Sequence, residues 1–446
     1  MKEKQILKRI LKGKIDIMKN TDRLLIEKLG IQKVVLDLIS ESEKKVSIYF
    51  EELEDIKEYN QYKVLSALQK CRVQDSHFAW NTGYGYNDAG RDTVENVYSE
   101  IFGTEASLVR PIIVNGTHAL TLTLAGIMRP DEKLIYCTGK PYDSLEEVIG
   151  IRGEGKGSLK EFGVLYDQVE LTDQGKIDFD ELKKRITPDT KMVCAQRATG
   201  YAWRRSITME EIKEWVSFIK RINPEIICMV DNCYGEFLDI SEPTDVGADV
   251  MAGSLIKNPG GGIALTGGYI TGRKDLIELI SYRMTSPGIG GECGLMFGQT
   301  RSILQGLFLA PGIVNGALKG AILCSQVFSD LGFEVCPNPG EARSDIIQAI
   351  KLKSADALIA FCQGIQKAAP VDSFVTPLPW EMPGYSDDVI MAAGAFVQGS
   401  SIELSADGPL REPYNVYFQG GLSYEYSKIG VIRALQALYE KQIVKF

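Results

Sequence analysis

A lysine stands beside a glycine-rich turn in the segment "SLIKNPGGG", residues 254–262. Ser254 precedes Lys257 by three positions, and three glycines follow the proline. Glycine lets a ligand approach the backbone closely, and a lysine in a desolvated site has a depressed pKa, which makes its amine a nucleophile able to form a Schiff base. We therefore predict that Lys257 is a reactive amine and that Ser254 binds a phosphate. The alternative is a solvated lysine beside an ordinary turn.

Two other segments offer partners for such an amine. Asp231 ends an apolar run in "VDNCYGEF", where a carboxylate is costly unless a cation or a protonated ring nitrogen pairs with it. In "VNGTHAL" a strand ends in Asn-Gly and a helix opens, so Gly116, Thr117 and His118 are placed to bind an anion at a helix N-terminus. The simpler alternatives are a structural salt bridge or N-cap for Asp231, and an ordinary helix cap for the turn.

An aromatic ring completes the set. Tyr142, in "GKPYDSLEEV", follows a predicted strand and either stacks on a planar cofactor or only packs. Together the four features supply a phosphate-binding turn, a stacking ring, a carboxylate for a ring nitrogen and an amine for an aldehyde. Pyridoxal 5'-phosphate needs these contacts. We predict that this cofactor binds here, with Lys257 holding its aldehyde, Asp231 keeping its ring nitrogen protonated, and Lys257, Asp231 and Tyr142 as catalytic residues.

The spacing of apolar residues indicates the elements that position these side chains. From about residue 104, short apolar runs alternate with amphipathic helices, which predicts a mainly parallel sheet covered by helices on both faces. In such sheets ligands bind outside the carboxyl ends of the strands. The loops that carry Gly116, Tyr142, Asp231 and Lys257 all follow predicted strands, so the α/β fold is expected to bring them together.

Three parts of the chain differ in pattern. Residues 1–70 have apolar residues at helical spacing and are predicted to form a helical N-terminal arm. Residues 71–320 are predicted to be a large cofactor-binding α/β domain, with a long helix beginning near residue 294. Residues 321–446 are predicted to be a smaller C-terminal α+β domain, with strands at "SFVTPL", "SIELSADG" and "NVYFQGG".

Composition and charge exclude several function classes. A net charge of -9 and a pI near 5.2 argue against a nucleic-acid surface, which requires a basic stripe. The sequence contains no run of about eighteen apolar residues, so no membrane span is predicted. The basic start of the chain lacks the features of a signal peptide. We therefore expect a cytoplasmic protein without nucleic-acid or membrane partners. A membrane-surface helix is the alternative for the start of the chain.

Cysteine and histidine usage does not predict a metal centre. The nine cysteines are scattered without a C-x-x-C pair, which is typical of buried thiols in a reducing compartment. The two histidines, His77 and His118, are far apart in the sequence. A zinc site built on histidines is therefore not expected.

On these motifs the chain resembles the Cys/Met-metabolism branch of the fold-type I pyridoxal-phosphate enzymes. "VNGTHAL" is similar to that family's Ser-Gly-Met-Ala phosphate turn, "VDNCYGEF" to its Val-Asp-Asn-Thr segment, and "SLIKNPGGG" to its Ser-x-x-Lys-x-x-Gly-Gly cofactor-lysine segment. "QRATGYAWRRS", "APGIVNGALKGA" and "ELSADGPLREPY" look like the methionine gamma-lyase-like group known as aluminium-resistance proteins. The resemblance covers roughly residues 60–446.

The resemblance implies an aminotransferase-like fold and a homodimer or homotetramer with active sites at subunit interfaces. It also implies that Tyr86, with Tyr84 as a second candidate, reaches a neighbour's cofactor phosphate. The family's phosphate-binding arginine falls on Asp88 in this chain, so Arg91 is the expected substitute. The family's Glu-x-Pro-x-Asn-Pro loop is "QRATGY" here, which leaves the contact to the cofactor's phenolic oxygen unassigned.

The predicted function is that of a carbon–sulfur lyase. Arg411 is the first candidate to bind the substrate carboxylate, with a surface salt bridge as the alternative. Lys257 is expected to take the Cα proton, and beta- or gamma-elimination from cystathionine, methionine or cysteine then expels a thiol. An aminotransferase or an aldolase on the same fold is the nearest rival, and a non-catalytic stress-related protein is the rival of another class. A nucleotide-binding loop is disfavoured because the lysine precedes the glycines.

Overall fold

The computed structural model describes residues 19–382, 385 and 387–445, so the basic start of the chain lies outside the described residues. From residue 19 onward, the described N-terminal part forms three α-helices: α1 (Asn20–Leu29), α2 (Lys33–Val46) and α3 (Phe50–Lys70). Helix α2 buries an apolar face that includes Val35 and Ile39 in the core of the C-terminal region. Helix α3 buries Val64 and Ala67 in the core of the central region. The two helices therefore pack on different parts of the chain.

The central region is built on a seven-stranded sheet in the order β1-β7-β6-β5-β4-β2-β3. Its strands are β1 (Ala106–Arg110), β2 (Lys133–Tyr136), β3 (Leu165–Gln168), β4 (Thr190–Gln196), β5 (Ile227–Asp231), β6 (Val250–Ser254) and β7 (Gly268–Gly272). Strands β2 to β6 pair in parallel, and β7 runs antiparallel to both β1 and β6. The prediction of a mainly parallel sheet is confirmed.

Helices cover both faces of this sheet, as the continuous apolar strands require. They are α4 (Ala89–Ile101), α5 (Gly116–Ile127), α6 (Asp143–Ile149), α7 (Phe179–Arg185), α8 (Met209–Ile222), α9 (Lys274–Met284) and α10 (Thr300–Asp330). Successive side chains of a strand point to opposite faces. Accordingly Val193 and Ala195 of β4 join one apolar core, whereas Met192 and Cys194 join the other. The sheet is thus fixed between two layers, with the ends of its strands left to form loops.

The C-terminal region contains an antiparallel sheet in the order β10-β11-β12-β9-β8, covered by two helices. The elements are β8 (Val335–Cys336), β9 (Gln348–Lys351), α11 (Ala355–Ala368), β10 (Val389–Ala392), β11 (Ser405–Pro409), β12 (Asn415–Gln419) and α12 (Tyr424–Glu440). The prediction of a strand at "SFVTPL" is wrong. Pro377 has no backbone N–H to donate to a neighbouring strand. The Phe374 side chain is 86% exposed, so the segment does not bury an apolar face as a strand of a packed sheet would. Residues 389–392 form the edge strand instead.

Helix α10 connects the two regions. Val314 and Ala317 lie in the core beneath the large sheet, whereas Ile322 and Val327 lie in the core of the C-terminal region. The change from one core to the other falls near the domain limit predicted at residue 320, although the limits themselves stay a prediction. Among the described helices, α10 alone is long and apolar enough to span a membrane, but 72% of its most apolar window is buried inside the protein.

Candidate functional site

A cavity of about 180 Å³ lies at the carboxyl ends of β4, β5 and β6. This first cavity collects loops that are far apart in the sequence, as expected for an open α/β sheet. Its lining residues are Asn115, Gly116, Thr117, Leu120, Tyr142, Ser144, Gln196, Ala198, Gly200, Asp231, Cys233, Tyr234, Ser254, Ile256 and Lys257. Six predicted site residues are therefore brought together: Gly116, Thr117, Tyr142, Asp231, Ser254 and Lys257.

The N-terminus of α5 faces this cavity. Asn115 caps the helix, because its side-chain oxygen accepts a hydrogen bond from the backbone N–H of His118 at 2.8 Å. A Cβ atom at Gly116 would lie 3.2 Å from Cys233 Sγ and 3.3 Å from Ser254 Cβ, so a side chain there would crowd the end of β6. Thr117 Oγ1 is 2.7 Å from Ser144 Oγ. The arrangement provides backbone N–H groups and hydroxyls for an anion.

Asp231 ends β5 and is buried, with 5% of its surface exposed. Its Oδ1 accepts a hydrogen bond from the backbone N–H of Cys233 at 3.1 Å. Burial raises the pKa of Asp231, and the nearby cation of Lys257 opposes that rise. A carboxylate held in this way favours a cationic partner in the cavity.

Lys257 follows β6 and lines the cavity, with its Nζ 3.9 Å from the centre of the Tyr234 ring. Burial lowers the pKa of Lys257, but the acidic groups of Cys233, Tyr234, Asp231 and Glu236 outweigh burial, and the net pKa is raised. The expectation of a depressed pKa is therefore wrong for the chain alone. The glycine-rich segment after the strand led to the expectation of desolvation alone, whereas the surrounding acidic groups come from tertiary contacts.

Tyr142 lies on the cavity wall between two other tyrosines. Its hydroxyl is 2.9 Å from the hydroxyl of Tyr385, and its ring centre is 6.0 Å from that of Tyr201. Gly200 has a φ of +58°, and a Cβ atom there would lie 3.3 Å from the Tyr142 ring and 2.9 Å from Gln196 Nε2. Glycine at this position thus leaves room for the tyrosine ring beside the cavity.

Four predicted cofactor-binding residues lie elsewhere in the chain. His118 Nδ1 accepts from the Val114 backbone N–H at 3.2 Å, and the His118 ring lines a separate groove. The Arg91 guanidinium is buried and donates to the Gly85 carbonyl at 2.7 Å. The tyrosines at 84 and 86 are 75% and 58% exposed. The structure of one chain does not bring these residues to the first cavity, and their contact with a cofactor stays a prediction.

A second cavity of about 260 Å³ adjoins the first, because Tyr142, Gln196 and Gly200 line both. Arg411 lines this second cavity and also forms an ion pair of 2.7 Å with Asp387. Arg411 thus forms a salt bridge and also lies next to the predicted site, so the two interpretations of Arg411 do not exclude each other. Its role toward a substrate carboxylate stays a prediction.

Two buried carboxyl groups near Lys257 were missed by sequence reasoning. Burial raises the pKa of Glu236 to about 8, and its Oε1 accepts a hydrogen bond from the Tyr269 hydroxyl at 2.7 Å. Burial also raises the pKa of Asp407 to about 7. Glu236 lies in the quoted segment "VDNCYGEF" beside Phe237, and Asp407 follows Ala406 in β11. An acidic residue beside such apolar positions was the one available indication of burial.

Within the part of the chain that the structure describes, no three His, Cys, Asp or Glu side chains are grouped so as to hold a metal ion. Six of the nine cysteines are buried, and all nine are free thiols. Among the residues that line the first cavity, the titratable groups are Lys257, Asp231, Tyr142, Cys233 and Tyr234.

Comparison with known proteins places this cavity in context. The family model described as methionine gamma-lyase matches residues 35–439. The uncharacterized protein YnbB of Bacillus subtilis (strain 168) is 51% identical over 91% of this chain and 96% of its own length. A crystal structure of a carbon–sulfur lyase involved in aluminum resistance from Clostridium novyi NT is 53% identical, with a TM-score of 0.90 and coverage of 94% and 99% of the two chains.

Two further structures extend the comparison. A candidate cystathionine beta-lyase involved in aluminum resistance from Clostridium acetobutylicum is 48% identical, with a TM-score of 0.91 and coverage of 95% and 100%. Cystathionine gamma synthase from Xanthomonas oryzae pv. oryzae is 14% identical, with a TM-score of 0.57 and coverage of 81% and 92%, a likeness that shows the fold alone. The fold is thus α/β of the aminotransferase-like fold type I. From residue 35 to residue 439 the chain belongs to the methionine gamma-lyase family.

Proposed function

We propose that this chain is a pyridoxal-phosphate-dependent carbon–sulfur lyase that acts on a sulfur-containing amino acid by beta- or gamma-elimination. One observation carries the proposal: Lys257, Asp231 and the N-terminus of α5 line a single cavity. The family membership and the carbon–sulfur lyase from Clostridium novyi NT support the general kind of reaction. Cystathionine, methionine and cysteine are the candidate substrates.

The residues present fit the proposed cofactor. The α5 N-terminus and Ser254 would hold the phosphate, where Gly116 leaves the backbone accessible. Asp231 is a buried carboxylate suited to a protonated ring nitrogen. Lys257 would bind the aldehyde carbon. When bound, the cofactor supplies an electron sink for the negative charge that forms at the substrate's Cα.

The chain's own residues supply proton transfer and orientation. Lys257 acts as the base that removes the proton from Cα, which requires its amine to be neutral at that stage. The acidic groups that raise its pKa also favour return of a proton to the amine afterwards. The hydroxyl of Tyr142 hydrogen-bonds to that of Tyr385, which orients the ring at the cavity wall. Arg411 is proposed to bind the substrate's α-carboxylate from the second cavity.

The first experiment is the visible absorption spectrum of purified protein before and after borohydride. We expect the wild type and Lys213→Ala, a change on the exposed face of α8, to be yellow and to bleach irreversibly. We expect Lys257→Ala to show no lysine-linked cofactor. A wild type that stays colourless with added pyridoxal phosphate would refute the cofactor assignment.

Product analysis tests the reaction type. With a thioether amino acid as substrate, the lyase releases a thiol, a keto acid and ammonia. A second amino acid would instead indicate an aminotransferase, and glycine with an aldehyde would indicate an aldolase. Absence of any product from a yellow, folded protein would favour a non-catalytic role.

We further propose that the active unit is a homodimer or homotetramer with sites at subunit interfaces. The exposed rings of Tyr84 and Tyr86 support this, because their centres are 5.5 Å apart and Trp80 nearby in sequence is also exposed. Light scattering after size exclusion measures the assembly, and a monomer with full activity would refute it. Location in the cytoplasm stays a prediction.

A further inference from the structure

Asp407 is a buried acid that the proposed reaction centre does not use. It lies on β11 opposite Tyr417 of β12, with 6% of its surface exposed, and it is not one of the residues that line either cavity. Its Oδ2 lies 3.5 Å from Gln419 Nε2, whereas its Oδ1 has no hydrogen-bond partner among the described residues. A buried polar atom without a partner costs free energy, so its presence in a core strand requires a reason.

The hydroxyl of Tyr201 is the complementary group. Tyr201 is held in place by Tyr417, whose hydroxyl donates to the Tyr201 backbone carbonyl at 2.6 Å and whose ring centre is 5.1 Å from that of Tyr201. The Tyr201 hydroxyl is buried and has no partner of regular geometry in the described chain, yet it lies close enough to Asp407 to lower the pKa of the carboxyl group. A hydroxyl donor and a carboxyl oxygen thus lie near each other, each without another partner.

This pair adjoins a cluster of tyrosines that reaches the first cavity. The titratable groups within electrostatic range of Asp407 come from several loops, from β12, from α11 and from the segment after β6, and they are Tyr142, Tyr201, Tyr234, Tyr385, Tyr417, Cys362 and Lys257. The Tyr201 ring centre is 6.0 Å from that of Tyr142 and 5.8 Å from that of Tyr385. Tyr142 lines the first cavity, so the cluster links the buried carboxyl group to the proposed reaction centre.

The pKa values indicate which member of the cluster can release a proton near neutral pH. Burial raises the pKa of Asp407 to about 7, while the Tyr201 hydroxyl and the Lys257 cation oppose that rise. Burial and the neighbouring Tyr385 raise the pKa of Tyr142 well above its usual range. A thiolate, whose pKa is roughly 8.5 in cysteine, takes a proton readily from such a carboxyl group but not from such a phenol alone. Tyr142 therefore needs a stronger acid behind it to protonate a leaving thiolate.

We propose that Asp407 supplies, through the hydroxyls of Tyr201 and Tyr142, the proton that the leaving sulfur takes up. When the C–S bond breaks, its electron pair goes to sulfur, and the Tyr142 hydroxyl gives its proton to that sulfur. The Tyr142 oxygen regains a proton from Tyr201, and Tyr201 regains one from Asp407. A neutral thiol leaves, and Asp407 remains a carboxylate until water reprotonates it. Asp407 and Tyr201 are thus positioning residues that act through Tyr142, and the inference rests on the proposed function.

The test uses two small substrates that differ in their leaving group. S-methyl-L-cysteine expels a thiolate, which takes up a proton, whereas β-chloro-L-alanine expels chloride, which takes up none. In the cofactor-loaded enzyme, Asp407→Asn and Tyr201→Phe should each lower kcat/KM for S-methylcysteine by about a hundredfold and leave the value for β-chloroalanine within about threefold. Asp356→Asn, an exposed change on α11, is the control and should leave both values unchanged.

The pH dependence provides a second readout. The proposed role requires Asp407 to be protonated, so the wild-type ratio of kcat/KM for S-methylcysteine to that for β-chloroalanine should fall as the pH rises through about 7. The protonation of Lys257 affects both substrates and cancels in the ratio. In Asp407→Asn the ratio should be low and independent of pH.

Equal losses on both substrates would assign Asp407 and Tyr201 a structural role and overturn the relay, as would an unchanged ratio in both variants. A wild type that binds the cofactor and turns over neither substrate would overturn the proposed function itself, and the relay with it.

Infrared difference spectroscopy follows the carboxyl group without turnover, by comparing each protein with its Asp407→Asn form over a range of pH. The band of the protonated carboxyl group should disappear as the pH rises through about 7 in the wild type. It should disappear at a higher pH in Tyr201→Phe, because the Tyr201 hydroxyl lowers the pKa of Asp407. A carboxyl group already ionised in mild acid, or one unaffected by Tyr201→Phe, would refute the pairing of Asp407 with Tyr201.

Discussion

The two adjoining cavities differ in how their charged groups are held. In the first, Lys257 and Asp231 are enclosed among largely uncharged residues at the ends of buried strands. In the second, charged groups line the wall, and Lys140 and Arg411 keep about half of their side-chain surface exposed. Electrostatic interactions are strong where water is excluded and are screened where it is not.

We expect this difference to assign the chemical step to the first cavity and substrate binding to the second. In the proposed reaction, the charges of the first cavity act on bonds that change, and a preorganised, water-poor site makes such charges effective. In the proposed function, Arg411 in the second cavity acts on the substrate's α-carboxylate, which does not react. Substitutions in the first cavity should therefore affect every substrate, whereas substitutions in the second should affect substrates according to the groups they carry.

Replacement of Lys257 should have the largest effect. Lys257→Ala removes the amine that we propose binds the cofactor and moves the Cα proton, so kcat should fall by at least about a thousandfold on every substrate. Turnover is measured with both cystathionine and S-methylcysteine, and circular dichroism verifies the fold. Lys213→Ala on α8 should leave kcat unchanged. Lyase activity retained by Lys257→Ala would end the assignment of the first cavity as the reaction centre.

Replacement of Asp231 should have the next largest effect. Asp231→Ala removes the buried carboxylate proposed to stabilise the protonated ring nitrogen, and kcat should fall by about a hundredfold, again for all substrates. Cofactor content per chain should fall much less, because the phosphate and Lys257 contacts remain. Unchanged turnover would show that Asp231 is only a structural carboxylate at the end of β5.

Replacement of Arg411 tests the boundary between the cavities. Arg411→Gln should raise KM by about tenfold with kcat within a fewfold, since it removes a charge-assisted contact to a carboxylate that does not react. Both substrates carry an α-carboxylate, so both KM values should rise together. A fall in kcat with constant KM would assign Arg411 to the reaction centre. Arg185→Gln is the control, since Arg185 pairs with Glu181 and Asp167 on the surface outside both cavities.

Sequence reasoning was most successful where a feature is local. The continuous apolar runs of β4, β5 and β6 predicted buried parallel strands, and the rule that ligands bind beyond their carboxyl ends placed Asp231 and Lys257 in one site. The cap at Asn115 follows from residue types within a few positions. Each of these features depends on neighbours in sequence.

Features that depend on distant contacts were missed. Tyr385 and Tyr201 reach Tyr142 from two separate loops, and no spacing in the sequence predicts that meeting. The antiparallel sheet was also harder to predict. Strand β8 has only two residues, and the apolar pattern at 373–378 is typical of a strand although the segment is not one. The pKa of Lys257 was misjudged for the same reason, since its direction depends on acidic groups such as Glu236 that the fold gathers around it.

The smallest expected effect concerns Glu236, a buried group near Lys257 with its pKa raised by burial to about 8, compared with 4.5 for a free glutamate. The folded protein holds this proton more tightly than the unfolded chain, so the stability contributed by Glu236 is complete below about pH 4.5 and is lost as the pH rises through 8. Glu236→Gln cannot ionise. Relative to the wild type, its free energy of unfolding should therefore rise by roughly 1–3 kcal/mol between pH 5.5 and pH 8.5. Denaturant unfolding at both pH values measures this, with the exposed Glu214→Gln on α8 as control. An identical pH dependence in wild type and Glu236→Gln would mean that Glu236 is ionised when folded, and that desolvation near Lys257 is weaker than the contrast between the cavities requires.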